Sequence, residues 1–279
     1  MIFNTISPCK LNLFLYITGK RPDGYHNLQT LFVILNYGDK MTFETTSEDK
    51  VELLTDFGFP VEQNLIYKAA MLLKQKCCCT KGVKISIDKI LAQGGGLGGG
   101  SANAATTLSV LNKLWNLNLE EKTLLELGTS LGADVPIFIK GVPCFAQGIG
   151  EILEPVDFKD RYYLVATPDC SVPTKVLFSS DKLKKDSKKR TYQELINTSY
   201  ENCFTPVVVN EYPEVQSLLK ELSNFGKPYM SGSGSSCFVA FDDLEAAKRA
   251  QIKIDAICRK NFIARSVQKS PVLEALENL

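Results

Sequence analysis

Residues 94 to 100 read Gly-Gly-Gly-Leu-Gly-Gly-Gly and run straight into Ser101-Ala102-Asn103. Glycine has no Cβ, so such a backbone adopts positive φ freely and lets its amides approach an anion closely. A helix opening near Ser101 would aim unpaired N–H groups and its positive dipole end at the same point, which is the chemistry of phosphate binding. A tight turn needs one or two glycines, whereas six imply that something comes close to the main chain. Gly94, Gly95, Gly96, Leu97, Gly98, Gly99, Gly100 and Ser101 are the expected cradle. Their flanks are well patterned, which argues against a flexible linker.

Two known phosphate loops do not fit. A P-loop ends in Gly-Lys-Ser or Gly-Lys-Thr, and Gly100-Ser101-Ala102 has no lysine. Gly94, Gly96 and Gly99 match the bare dinucleotide fingerprint, but an acidic residue at the end of a second strand should follow, and Glu120 and Glu121 open a helix instead.

Two side chains have what phosphoryl transfer to an alcohol requires. Asp134, in the turn Gly132-Ala133-Asp134-Val135-Pro136, is a candidate base, since a carboxylate can take the alcohol's proton late in a loose transition state. The same carboxylate could equally tie down loop amides. Lys10 stands in an apolar strand pattern. Facing a cleft, its ammonium would keep Asp134 ionised and stabilise charge on the transferred group; on an edge strand it would snorkel to water. His26 is the single histidine. Beside Tyr25 in a turn, it reads from the residues alone as exposed.

The elements that must position these groups follow from periodicity. Alternation predicts strands over 8–18, 28–35, 40–45, 83–87 and 162–166, with Arg21-Pro22-Asp23-Gly24 as a turn. Helical spacing marks 64–75, 101–115 and 119–131, the last ended by Gly132 and Pro136. A second loop, Ser231-Gly232-Ser233-Gly234-Ser235-Ser236, feeds a buried strand from Cys237 to Phe241. Strands cluster rather than alternate with helices, so the expected class is α+β.

Composition permits an enzyme without naming one. At 279 residues and 44% hydrophobic content, two domains are expected. Lys plus Arg total 32 against 31 Asp plus Glu, which calls for neither a nucleic-acid nor a membrane partner. The basic stretch from Lys182 to Arg190 lacks interleaved aromatics and reads as a solvated loop. With no leader pattern, no spanning segment and nine cysteines in no metal or disulfide spacing, a cytoplasmic protein with reduced thiols is expected.

Ser7-Pro8-Cys9-Lys10-Leu11-Asn12-Leu13-Phe14-Leu15, Gly19-Lys20-Arg21-Pro22-Asp23-Gly24-Tyr25-His26, the glycine loop and the Ser-Gly loop, in this order, resemble the GHMP small-molecule kinase superfamily. The resemblance implies a two-domain α+β fold with the active site in the cleft between an ATP-binding domain (residues 1–150) and a substrate-binding domain (residues 151–279). It implies ATP and Mg²⁺ as cofactors, no obligate protein partner, Asp134 as base beside Lys10, and Asn64 and Asn103 near the nucleoside.

The Lys-Leu-Asn-Leu strand followed by Asp-Gly-Tyr-His resembles the branch that phosphorylates the 2-hydroxyl of a cytidine diphosphate-linked polyol. That likeness implies cytosine sandwiched by Tyr25 and Phe178 with His26 on its polar edge, Asn12 at the polyol, and Thr174 at the substrate. Several members carry a serine where this chain has Gly99 and Gly100, so no metal ligand is assigned, and the ion would rest on phosphates and water. Cys9 replaces a frequent alanine and could make the site thiol-reactive. Superfamily kinases of mevalonate, phosphomevalonate or homoserine have no base to stack on Tyr25 and His26. A catalytically silent nucleotide binder would not need both Lys10 and Asp134.

Overall fold

The long apolar alternation at the start of the chain makes one hairpin that organises the rest. In the computed structural model, which describes residues 1–258 and 260–279, β1 runs Ile2–Lys20 and β2 His26–Thr46, paired antiparallel. The strands expected at 28–35 and 40–45 are thus a single strand. Gly38 does not turn the chain but lies against Ser7 and Pro8 so closely that a Cβ would collide with the Ser7 carbonyl. Register shifts between Pro8 and Lys10 and between Asn12 and Leu15 bend β1 where its polar residues lie, the usual use of a bulge to re-aim side chains.

Strands β3 (Val51–Leu53) and β4 (Gly82–Asp88) extend the sheet on one side of β2, and β5 (Cys144–Gln147) and β6 (Ile152–Pro155) add to its first half. Further strands are β7 (Tyr162–Ala166), β8 (Tyr229–Met230), β9 (Cys237–Phe241) and β10 (Asn261–Val267). The path β3-β4-β2-β10-β7-β9-β8 carries the hydrogen bonding from one half of the molecule to the other, and only β3 and β4 pair parallel. This antiparallel arrangement is the expected α+β class.

Helices α1 (Leu65–Cys77), α2 (Gly99–Leu114), α3 (Glu121–Leu131) and α4 (Val135–Lys140) cover the first half. Side chains such as Leu73, Leu108 and Ile137 meet Phe43, Val83 and Ile85 in a first core. Helix α2 is buried along almost its whole length because Ala102, Ala104 and Ala105 let its neighbours approach. Pro136 does not merely end α3. It sits in the first turn of α4, where its missing N–H is harmless. Asp134 therefore lies between two helices.

In the second half come α5 (Thr174–Ser179), α6 (Tyr192–Ile196), α7 (Thr205–Glu211), α8 (Pro213–Leu222) and α9 (Leu244–Asp255). Leu218, Leu222, Ala250 and Ile254 pack on Leu164 and Val239 in a second core. A third cluster, including Leu11, Phe14 and Val33 with Tyr163, Val165 and Phe238, fastens the halves together. Leu15 and Ile17 of β1 belong to the second core, and Val272 of α10 (Pro271–Glu277) to the first, so the chain crosses between cores on both sides of residue 150. Among the described residues no helix is long and apolar enough to cross a membrane.

Asp39 of β2 is fully buried, accepts hydrogen bonds from the Ile90 and Leu91 amides at 2.9 Å each, and pairs with Lys89 Nζ at 2.6 Å. It anchors the segment that enters the glycine loop. Asp39→Ala strands two buried amides and an ammonium, and urea unfolding at pH 7 is expected to show a loss of about 2–4 kcal/mol.

Candidate active site

The glycine loop is pinned from both halves of the molecule. Gly94, Gly96 and Gly98 have φ of +70°, +73° and +75°, and Gly98 caps α2, which opens at Gly99 rather than at Ser101. Ser231 Oγ donates to the Gly96 carbonyl at 2.9 Å, and the Ser236 amide donates to the Gly95 carbonyl at 3.1 Å. Much of the glycine requirement is therefore set by the protein itself. An added Cβ at Gly96 would meet the Ser231 carbonyl, one at Gly95 would lie 2.8 Å from Ser236 Oγ, and one at Gly98 2.8 Å from the Phe138 ring. Gly100 alone of the run faces open space, with Leu65 at 4.0 Å. The first-turn amides of α2 are left for an anion.

Lys10 is buried, not snorkelling. Its amide leaves the β1–β2 ladder to donate to the Leu97 carbonyl at 3.1 Å. Its ammonium donates to Asn12 Oδ1 at 2.6 Å and to the Gly96 carbonyl at 3.1 Å, and stands 3.4 Å from Asp134 Oδ2. Asn12 is fixed in turn, because its Nδ2 donates to Thr30 Oγ1 at 2.8 Å and that hydroxyl donates to the Phe14 carbonyl at 2.6 Å. An amide donating to Thr30 must present its oxygen to Lys10. Both ends of the Asn12 amide are thus engaged, the oxygen by Lys10 and the nitrogen by Thr30. The Asp134 carboxylate caps no helix. With a side chain 38% exposed against 3% for Lys10, it offers its free edge to the cleft.

Cys9 does not make the site thiol-reactive. It is fully buried in the third core, and burial pushes its thiol far above the ordinary range, so the nucleophilic thiolate is not formed.

His26 is buried rather than exposed, and its ring stacks on Phe178 with centroids 4.9 Å apart. Phe178 meets Phe204 edge-on at 5.1 Å, so it is held as part of a wall. Tyr25 is 60% exposed in the Arg21–Tyr25 turn. His26 is the first residue of β2 and its ring is drawn inward onto Phe178, while Tyr25 in the turn before it points outward. His26 Nε2 is buried without a hydrogen-bond partner. Burial, reinforced by the Lys185 and Lys20 ammoniums, holds the imidazole below its ordinary value of 6.5. Thr174 Oγ1 lies 2.6 Å from Ser233 Oγ and ties α5 to the second loop.

Beside the glycine loop lies a cavity of about 380 Å³ bounded by Asn64, Asn103 and the whole loop. Asn64 caps α1 by accepting from the Ile66 amide at 2.9 Å. Asn103 is buried with Oδ1 unpartnered, an acceptor that a ligand donor can satisfy. The sequence reading missed Phe57, Phe59, Gln63, Leu65 and Lys89, which complete the wall. Phe57 and Phe59, with ring centroids 6.0 Å apart in an irregular loop, offered the one visible signal: aromatics around Gly58 with no strand to bury them.

A glycine cradle at a helix start, a carboxylate and ammonium beside it, and a second loop clasping the first define a small-molecule kinase of the GHMP class. The GHMP kinases N terminal domain matches residues 64–142 and the GHMP kinases C terminal domain residues 183–260. Proteins named 4-diphosphocytidyl-2-C-methyl-D-erythritol kinase from Hahella chejuensis and Pasteurella multocida are 43% and 42% identical to it, over 97% and 98% of this chain and 95% and 92% of theirs. A crystal structure of 4-(cytidine 5'-diphospho)-2C-methyl-D-erythritol kinase is similar with a TM-score of 0.84 and 29% identity, covering 95% of this chain and 99% of that one. The homoserine kinase from Cytophaga hutchinsonii shares the fold at a TM-score of 0.71 and 18% identity, over 97% of this chain and 96% of its own. The chain belongs to the GHMP kinases and, within them, to the 4-diphosphocytidyl-2-C-methyl-D-erythritol kinase family.

Two outcomes are expected from this geometry. Gly96→Ala, with positive φ and a collision at Ser231, should lose about 2 kcal/mol or more in denaturant unfolding, whereas Gly100→Ala at the start of α2 should be neutral or gain up to about 1 kcal/mol. His26 binds a proton more weakly in the folded chain than in the unfolded one, so its contribution is fully present above pH 6.5 and is lost as pH falls through the lower folded value. The single imidazole should titrate by NMR with a midpoint below 6.5, and the stability of the parent relative to His26→Gln should decline as the solution is acidified.

Proposed function

We propose that this chain transfers the γ-phosphoryl group of ATP to the 2-hydroxyl of 4-diphosphocytidyl-2-C-methyl-D-erythritol, releasing ADP and the 2-phosphate for non-mevalonate isoprenoid precursor synthesis. The observation that carries the reading is the Lys10–Asp134 pair at 3.4 Å, set against the glycine loop by the Lys10 bond to Gly96. Membership in the family and the unpartnered His26 Nε2 supply the specificity for a base-bearing substrate.

An ammonium has three hydrogens. Two of those on Lys10 are committed to Asn12 and Gly96, leaving one directed toward Asp134 and the space before α2. A substrate hydroxyl entering beside Asp134 can pass its proton to the carboxylate as the bond to phosphorus forms, and Lys10 balances the charge spread over the transferred oxygens. Because both groups are held before substrate arrives, little reorganisation is needed at the moment of transfer. The α2 amides and the glycine loop carry the nucleotide's phosphates, with Asn64 and Asn103 on the nucleoside side. At the other end, Phe178 provides a stacking face and His26 a neutral ring nitrogen for the base's polar edge. Stacking and hydrogen bonding of this kind supply about 1–3 kcal/mol per base and reject substrates that lack it.

Magnesium neutralises phosphate charge in such transfers. Among the described residues no three His, Cys, Asp or Glu side chains gather to hold an ion. No protein ligand is assigned, and the ion would be held mostly by the nucleotide's phosphates and water.

The test is ADP release from Mg·ATP with the cytidyl substrate, mevalonate and homoserine offered in parallel. Turnover is expected with the cytidyl compound alone. Asp134→Asn should lower kcat by about 10²–10⁴-fold and Lys10→Met by about 10²–10³-fold, with the fold intact by circular dichroism. Near-normal turnover in Asp134→Asn removes the base assignment, and preferential turnover of mevalonate or homoserine removes the roles of His26 and Phe178.

A further inference from the structure

The stretch from Lys182 to Arg190, expected to be a solvated loop, is in part a built wall. Leu183 and Ser187 are buried, the Ser187 amide donates to the Ile17 carbonyl at 2.8 Å, and Arg190 is clamped by Gln29, whose Nε2 donates to the Arg190 carbonyl at 2.6 Å and whose Oε1 accepts the Arg190 amide at 3.0 Å. A second segment, Glu201 to Cys203, pairs with β1 at Leu15. Between the two segments lies a cavity of about 820 Å³, lined by none of the residues placed in phosphoryl transfer.

Its surfaces are of two kinds. Tyr16, Tyr200, Tyr229 and Met230 give apolar and aromatic walls, while Lys184, Lys188, Arg190 and Lys227 bring four cations to the rim against one carboxylate, Glu201. Among the described residues none of the four cations has an ion-pair partner. Two rest on aromatic faces instead, Arg190 at 4.4 Å from the Tyr16 ring centre and Lys227 Nζ at 5.4 Å from that of Tyr229. A cation held over a ring keeps its charge available to an anion, whereas one held by a carboxylate does not. The volume lies within the roughly 300–1,000 Å³ range of small-molecule sites.

We propose that this cavity is a second ligand site, for an organic phosphate with a planar apolar body: phosphate at the lysine and arginine rim, body against the tyrosines. The site bears on the catalytic loop. Asn202, in its wall, donates from Nδ2 to the carbonyls of Met230 and Gly232 at 2.8 Å each. Gly232 packs so that an added Cβ would lie 3.4 Å from Lys10 Nζ. An occupant leaning on Asn202 and Met230 therefore touches the residues that position that loop.

Met230 also makes the site measurable, since only four methionines are present and the others lie elsewhere. Methyl-labelled full-length protein, with saturating ADP and CDP to fill the cleft, is titrated with 1-naphthyl phosphate and followed by NMR. The Met230 methyl resonance should shift to saturation while Met41 and Met71 stay in place. Naphthol and inorganic phosphate alone should each bind at least about tenfold more weakly, as should the phosphate ester to the double variant Lys188→Glu/Lys227→Glu, whose turnover stays at the parent level. Should that variant not fold, Lys188→Gln and Lys227→Gln singly are expected to weaken binding about threefold each. A Met230 signal unmoved at millimolar ester overturns the proposal. So does an affinity unchanged by the charge substitutions, which would mean that the rim cations do not hold the phosphate, and so does naphthol binding as tightly as its phosphate.

Discussion

The arrangement depends on one buried cation. Taking the Lys10 ammonium out of water is costly unless every hydrogen finds an acceptor or a counter-charge. Asn12 Oδ1, the Gly96 carbonyl and the Asp134 carboxylate meet that demand from three separate parts of the chain. Strand β1, the glycine loop and the α3–α4 junction must therefore converge for the lysine to be stable. The convergence that solvates the lysine is the same one that places the Asp134 carboxylate beside the glycine loop.

The second half of the molecule is bound into that centre through neutral hydrogen bonds rather than charge. Ser231 accepts from the Asn12 amide at 3.3 Å and donates to Gly96, while Ser236 reaches Gly95. Glycine is needed in the 94–98 segment as much for this interlocking of two loops as for an anion. A side chain at Gly95 or Gly96 would separate the halves before it obstructed a ligand. At the start of α2, Gly99 and Gly100 present first-turn amides at the positive end of a helix. Asn103 Oδ1 on one side and His26 Nε2 on the other are buried polar atoms that folding left without a hydrogen-bond partner.

Much of the architecture was legible in local pattern. Periodicity located α1, α2, α3, β4, β7 and β9 to within a few residues, and clustering of strands indicated α+β. The merger of two expected strands into β2 was not legible, because Gly38 signals a turn locally and is used for close strand packing instead. Helix α4 was missed for a similar reason: Pro136 can end one helix or open the next, and the packing of Ile137 and Ile139 decides. Residue chemistry picked out Lys10, Asp134 and the glycine loop, and the likeness, which rested on motif order, gave them their roles. Tyr25 stands exposed in the turn just before β2.

The sequence by itself determined which groups were available: a glycine run before a helix, one lysine in an apolar strand, one aspartate before a Pro-containing turn, one histidine. These are local properties of residue type and spacing. Only the tertiary structure decided that Lys10 points inward, that Asp134 leaves its own loop amides to face it, and that His26 is drawn under cover against Phe178. It alone decided that a basic stretch becomes the rim of a cavity. Each of these depends on segments far apart in the chain, held by burial and by hydrogen bonds whose partners no local spacing specifies.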